Sequence, residues 1–297
     1  MPKIPRNTPK TAEIRIIGPR DSGKTTYLAT LARFPHQKYL KSDFPGLEII
    51  PEGRDSERLF RLAEDLLKRG DKLAGTLKGD EANLSFYYFR IKIPSLKGLP
   101  GTEIELNARD FPGEIFHDIA REHRWNEIEP YINDLFNASS WMVMLTDWQP
   151  GQDTRLYRPA FEKLCQEISE REQINPEIKN LRIAVVMAKC ERGEIWPGRL
   201  DPEQDLFKVR LPETYQLLTR RFPPRTQRLK FFACSSFGVL SDRRDDFDPR
   251  PNRYIPDDGS SADNSAFLRN SSQWQPYGLL SPIYWLSTGK TLHDQRL

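Results

Sequence analysis

Residues 13–34 constrain this chain more than any other stretch. Glu13-Ile14-Arg15-Ile16-Ile17 is a short apolar run that reads as a buried strand. Gly18-Pro19-Arg20-Asp21-Ser22-Gly23-Lys24-Thr25 follows, and it fits the phosphate-binding pattern G-x-x-x-x-G-K-[S/T] at every fixed position. Thr26-Tyr27-Leu28-Ala29-Thr30-Leu31-Ala32-Arg33-Phe34 then carries apolar residues at helical spacing. Strand, glycine loop and helix in that order form a concave nest. The loop N–H groups and the helix N-terminus point at anionic oxygens, and Gly18 and Gly23 allow the turn and the close approach of the backbone. Lys24 can reach β- and γ-phosphates, and the Thr25 hydroxyl can ligate Mg²⁺. Asp21, Ser22 and Thr26 complete the loop residues expected to line a nucleotide.

The rest of the chain supplies the sheet such a loop needs. Residues 57–69 (ERLFRLAEDLLKR) read as an amphipathic helix inside a long polar stretch, 36–80. Residues 83–93 and 102–108 read as a hairpin, with SLKGLPG as turn chemistry. The second strand ends in Asp110-Phe111-Pro112-Gly113. An aspartate at a strand end can hold a Mg²⁺-bound water, and the glycine amide after it can meet a γ-phosphate. Residues 115–136 read as helical, re-aimed near Pro130. Continuous apolar strands are expected at 141–145 and 181–187, a helix at 161–168, another from Asp201-Pro202 towards Arg221, and a last strand at 229–233. This alternation predicts an α/β, three-layer P-loop NTPase fold: a mostly parallel sheet of about six strands, one antiparallel hairpin strand, and helices on both faces. Ligands in such sheets sit at the carboxyl ends of strands, and every motif here lies at one.

The chain reads as one domain over residues 13–297, preceded by a loose arm at 1–12. A charged, proline-rich surface insertion is expected at 240–276, and a closing helix at 279–286 with Pro282 in its first turn. Apolar content is 37% and charged content 29%, so the chain reads as globular with much exposed loop. No apolar run approaches the roughly 20 residues that span a bilayer. The N-terminus lacks the apolar segment of a signal peptide, and no prenylation cysteine ends the chain. Cys165, Cys190 and Cys234, odd in number and far apart, fit a reducing cytoplasm better than a disulfide framework or a metal site. A net charge of +3 does not by itself imply nucleic acid. The basic run at 210–230 reads chiefly as a solvated helix face, with an acidic partner as the other use.

The order of motifs resembles a Ras-like GTPase domain over residues 13–286: the P-loop, then D-x-x-G, then Ala188-Lys189-Cys190-Glu191 after a strand, then Cys234-Ser235-Ser236 after the last strand. That resemblance implies GTP and GDP as ligands with Mg²⁺ as cofactor. It implies that Lys189 and Glu191 read the base, Glu191 keeping the usual carboxylate on one more methylene, while Ala188 lacks the side-chain polar atoms of the usual residue. Ser235 and Ser236 would line the base, Thr76 would be the metal-binding threonine of a first switch, and Glu114 would stand where the attacking water is positioned. A carboxylate there implies slow intrinsic hydrolysis. Arg121 or Arg124 could serve as an arginine finger, a solvated helix face being the plainer reading. The loops at 36–80 and 111–124 would order with triphosphate. The long segment before DFPG, the late insertion and the Pro282-x-x-Trp285-Leu286 helix are also similar to the double-GTPase group of bacterial multi-gene systems. That implies a switch acting on regulatory or effector proteins in defence or signalling, as a homodimer or hetero-complex. Two other readings stay open: an ATPase or small-molecule kinase on the same loop, and a nucleotide-holding scaffold without turnover.

Overall fold

The computed structural model describes residues 10–36, 44–69, 84–95, 101–147, 150–254 and 268–292. Strand β1 (Lys10–Ile17) begins three residues inside the stretch expected as a loose arm, because Lys10, Thr11 and Ala12 pair with Ile104, Glu105 and Leu106. It runs through the glycine loop into α1 (Lys24–Arg33). Strand β2 (Glu48–Glu52) and α2 (Arg54–Arg69) follow, then the hairpin β3 (Phe86–Ile93) and β4 (Thr102–Asp110). Next come α3 (Gly113–Ile119), α4 (Trp125–Phe136), β5 (Ser140–Leu145), α5 (Arg158–Ile174) and β6 (Arg182–Met187). Helix α6 (Pro212–Arg221), β7 (Leu229–Ala233), a hairpin of β8 (Val239–Arg243) and β9 (Asp246–Pro251), and α7 (Ser281–Thr288) complete the order.

The main sheet has seven strands in the order β2-β3-β4-β1-β5-β6-β7. Strands β4, β1, β5, β6 and β7 are parallel, while β3 runs antiparallel to β4 and β2 antiparallel to β3. This is the three-layer α/β P-loop NTPase architecture, with one strand more than the sequence suggests. The extra strand is β2, whose Pro51 is tolerated because the strand lies at the sheet edge. After β1 the chain builds out to one side through β4, then crosses to the other through β5. The switch in direction therefore falls at the carboxyl end of β1, beside the glycine loop.

Strand β5 is buried along its whole length, so its side chains feed both cores. Met142 and Met144 join Ile14, Ile16, Leu28, Leu31, Val186, Phe232, Tyr284 and Trp285 on the face covered by α1, α2 and α7. Trp141, Val143 and Leu145 join Ile17, Phe116, Tyr131, Phe161 and Phe207 on the other face. That second face also holds a charged group. Asp134 accepts from Arg15 at 3.0 Å and pairs with Arg109 at 2.6 Å, and the Arg109 guanidinium lies 4.4 Å from the Phe86 ring centroid.

Three expected elements differ in detail. The break within 113–136 falls at Ala120-Arg121, between α3 and a 3-10 turn at Glu122–Arg124, and α4 runs through Pro130. Pro130 is exposed in the middle of α4, where it forfeits the bond to the Asn126 carbonyl and crowds that carbonyl, yet the helix continues through it. The helix expected from Asp201-Pro202 is divided at Leu211 (φ −128°, ψ 55°), since Pro212 pushes the residue before it out of helical geometry. The stretch at 240–276 contains the β8–β9 hairpin; most of the β9 side chains are exposed, so no periodicity marks it. Residues 255–267 of that stretch lie outside the described residues. Among the described residues no helix is long and apolar enough to cross a membrane, and no His, Cys, Asp or Glu cluster could hold a metal ion.

Candidate functional site

The glycine loop is shaped by contacts that exclude a side chain. A Cβ on Gly18 (φ 152°) would stand 2.1 Å from the Met144 carbonyl oxygen, so the loop leans on the end of β5. Asp21 takes a left-handed φ of 62° and Gly23 one of 91°, the turn that leads the loop into α1. Ser22 is fully buried, while Thr25 and Thr26 open the first turn of α1. The Lys24 ammonium donates to the Gly18 carbonyl at 3.0 Å and the Pro19 carbonyl at 3.1 Å. Burial pushes its pKa down, against the pull of Asp110, Glu114 and Asp21. A phosphate oxygen is a stronger acceptor than either carbonyl and would draw the ammonium from them.

The D-x-x-G segment closes on this loop. The Thr25 hydroxyl donates to Asp110 Oδ2 at 2.5 Å, and the Phe111 N–H bonds the Ile16 carbonyl at 3.1 Å. A hydroxyl and a buried carboxylate at adjoining strand ends are hard oxygen donors of the kind Mg²⁺ prefers. Gly113 packs on the loop itself: a Cβ there would meet the Arg20 Cα and N at 2.4 Å each. Glu114, one residue on, lies 3.6 Å from the exposed Arg20 guanidinium. Thr76, the metal-binding threonine the resemblance implies, lies outside the described residues. Arg121 is exposed, and Arg124 forms an exposed ion pair with Glu127 at 2.8 Å.

The third and fourth motifs are tied to each other. The Cys190 N–H bonds the Cys234 carbonyl at 3.1 Å, and the Cys234 N–H bonds the Met187 carbonyl at 2.8 Å. Ser235 donates to Glu191 Oε2 at 2.6 Å and accepts from the Gly238 N–H at 2.7 Å. Glu191 is fully buried, and among the described residues its Oε1 has no hydrogen-bond partner. The Ser236 hydroxyl lies 3.2 Å from Thr30 Oγ1, and the Ser236 carbonyl accepts from the Trp274 indole at 2.8 Å. Lys189 takes a left-handed φ of 59°, uncommon for a side chain of this kind, and its Cε lies 3.5 Å from where a Gly23 Cβ would stand. The lysine stem therefore lies against the glycine loop, joining the third motif to the first.

Burial, with Arg253 adding to it, pulls the Lys189 ammonium down from 10.5 to about 7. The unfolded chain then holds a proton on Lys189 that the folded chain has released between pH 7 and about 10. Folding stability consequently rises with pH across that window, and the penalty of the buried charge is fully felt below pH 7. Thermal melts of nucleotide-free protein at pH 6.5 and 9 should show the gain, reduced in Lys189→Met. Equal pH slopes in both proteins would refute this assignment.

Sequence reasoning missed Arg20, which faces Glu114 and Gly113 from a variable loop position, and His117, one turn beyond Glu114. Burial lowers the His117 pKa, with Arg121 adding to it. Nothing in the local pattern marks either residue. Part of the basic run at 210–230 is engaged in structure: Arg221 and Arg228 both hold Glu172, at 2.8 and 2.7 Å, and Arg210 bridges Asp147 and Glu194, while Arg220 and Arg225 are exposed.

No protein-family model matches the chain, and no curated protein matches it. Its likenesses are to GTPase structures. Translation elongation factor SelB of Methanococcus maripaludis, in complex with a GTP analogue, is 11% identical, with a TM-score of 0.35 over 77% of this chain and 30% of that one. The Ski7 GTPase-like domain of S. cerevisiae, bound to GDP and inorganic phosphate, is 15% identical, with a TM-score of 0.38 over 77% and 43%. A variant of Aquifex aeolicus Era bound to GDP and aluminium fluoride is 16% identical, with a TM-score of 0.31 over 76% and 52%. The chain thus spans between 30% and 52% of the length of these three proteins. What this chain does must be argued from its own residues.

Proposed function

We propose that the chain is a guanine-nucleotide switch that binds GTP with Mg²⁺ and hydrolyses it slowly on its own. The observation that carries this reading is Glu191: a buried carboxylate four residues past the end of β6, one oxygen held by Ser235 and the other without a hydrogen-bond partner among the described residues. A buried acceptor left unpaired costs free energy, and a ligand donor can recover it. Guanine presents two adjacent donors, N1–H and the 2-amino group; adenine presents an acceptor at N1.

In this reading the loop amides, Ser22 and Lys24 hold the phosphates, Lys189 lies along the base, and Ser235 and Ser236 line it. Thr25 and Asp110 would hold Mg²⁺, which when bound neutralises charge on the β- and γ-phosphate oxygens. Water attacks the γ-phosphorus as the bond to the β,γ-bridging oxygen breaks. Lys24 and the Gly113 amide offset the charge that spreads over the oxygens. Glu114 opposes this. Its carboxylate stands at the mouth of the site and repels the γ-phosphate, and the exposed Arg20 compensates only weakly. The segments 36–80, Thr76 among them, and 111–124 are not simple loops, since β2 and α2 lie in the first and α3 in the second; they would shift on triphosphate and present the signal to regulatory or effector proteins.

Fluorescent GTP and ATP analogues should separate the readings: GTP binds and ATP does not. Single-turnover hydrolysis should be slow in wild type and faster in Glu114→Gln, by on the order of tenfold, since a neutral amide can orient water without repelling phosphate. Preference for ATP would replace this reading with an ATPase or kinase. GTP binding without turnover in either protein would leave a scaffold.

A further inference from the structure

Glu191 can serve only half of a guanine base. Its carboxylate accepts from N1–H and the 2-amino group, while O6 and N7 on the adjoining edge are acceptors and need donors. Ala188, at the head of the same motif, has no side-chain polar atom to give. Main-chain N–H groups of the Ser235–Ser236 loop can supply one donor, and the segment after β9 brings a side chain that can supply two. Asn252 is fully buried; its N–H bonds the Gly238 carbonyl at 2.9 Å, at the end of the Ser235–Ser236 loop. Its side chain exchanges two bonds with the Asn270 backbone, at 2.9 and 2.8 Å. These bonds fix the backbone of the next residue, Arg253, against that loop. Arg253 is 7% exposed, its carbonyl accepts from Arg269 at 3.0 Å, and its guanidinium lies 5.7 Å from the Phe237 ring centroid. Its charge also reaches Lys189, which lies against the glycine loop. The segment after β9 thus places a buried guanidinium beside the loop that follows Ser235 and Ser236.

We propose that Arg253 reads the O6/N7 edge of guanine, so that the β8–β9 insertion completes the base site and sets its specificity. The inference rests on the GTP reading above. A guanidinium matches O6 and N7 as a bidentate pair. It also rejects adenine, whose 6-amino group would point a donor at a donor. The insertion therefore does by attraction and repulsion together what Glu191 does alone on the other edge.

The test pairs a ligand atom with the residue. Affinities of GTP, 7-deaza-GTP (which lacks the N7 acceptor), inosine triphosphate (which lacks the 2-amino group) and ATP are measured on wild type and Arg253→Gln. Wild type should bind 7-deaza-GTP about five- to tenfold more weakly than GTP. Arg253→Gln should lose about tenfold or more on GTP, show little further loss on 7-deaza-GTP, and gain on ATP relative to GTP. The penalty for inosine triphosphate should be the same in both proteins, since Glu191 reads that group. The wild-type comparison needs no folded variant: equal affinity for GTP and 7-deaza-GTP in a GTP-selective wild type overturns this proposal alone. An unchanged 7-deaza penalty in Arg253→Gln does so as well. A wild type that binds neither guanine nucleotide, or prefers ATP, overturns the GTP reading and this proposal with it.

Discussion

Lys24→Ala should weaken nucleotide binding by roughly a hundredfold to a few thousandfold, because it removes one partner of a buried, charge-assisted contact with phosphate. The same substitution should cost little folding stability in the absence of nucleotide. The ammonium is buried, and its pKa is pushed down by that burial, so its charge is disfavoured where it sits, and its two bonds go only to the loop carbonyls of Gly18 and Pro19. The two readouts therefore part company. Titration with a fluorescent guanine nucleotide should show the loss, while thermal unfolding of nucleotide-free protein should shift by no more than about 2 °C. Binding within threefold of wild type would mean that the loop does not hold phosphate through Lys24. An unfolded variant would mean that the curled ammonium is a structural clip.

The glycine-loop half of the candidate site is legible because its pattern is local. Gly18, Gly23, Lys24 and Thr25 are consecutive or nearly so, and a strand before them and a helix after them fix their geometry. Asp110 and Gly113 were legible through their position at a strand end. The half proposed to hold the base is only partly visible. Glu191 could be placed by motif order, but the hydroxyl that holds it, on Ser235, arrives from a different strand. Arg253 carries no local signal at all, since its position depends on the Asn252–Asn270 clamp across 18 residues of chain. The same rule covers the fold. Strands β5 and β6 announce themselves as unbroken apolar runs, whereas β2, with Pro51 and glutamates at both ends, is a strand only because β3 offers it an edge. The left-handed backbone at Asp21 and Lys189 was likewise invisible, because neither residue type demands it and only the tight packing of the loops enforces it.

Gly113→Ala should disturb the molecule in a second and different way. The added Cβ would lie 2.4 Å from two backbone atoms of Arg20 and 2.9 Å from the Pro19 carbonyl carbon. No rotamer change relieves a clash with backbone, so the start of α3 must lift from the glycine loop. The helix resists, because Phe111, Ile115, Phe116 and Ile119 are all buried beneath it. Overpacking of this kind costs about 1–3 kcal/mol, or a fall in Tm on the order of 3–10 °C for a chain of this size. The consequence for binding follows from where the strain falls. Lys24→Ala removes a contact common to di- and triphosphate, and weakens both. Gly113→Ala moves only the amide expected at the γ-phosphate, so GDP affinity should hold while the preference for GTP over GDP shrinks by about tenfold. A lower Tm with an unchanged GTP-to-GDP ratio would make the contact between Gly113 and Arg20 mere packing. A smaller ratio would identify it as the joint through which the phosphate loop moves α3.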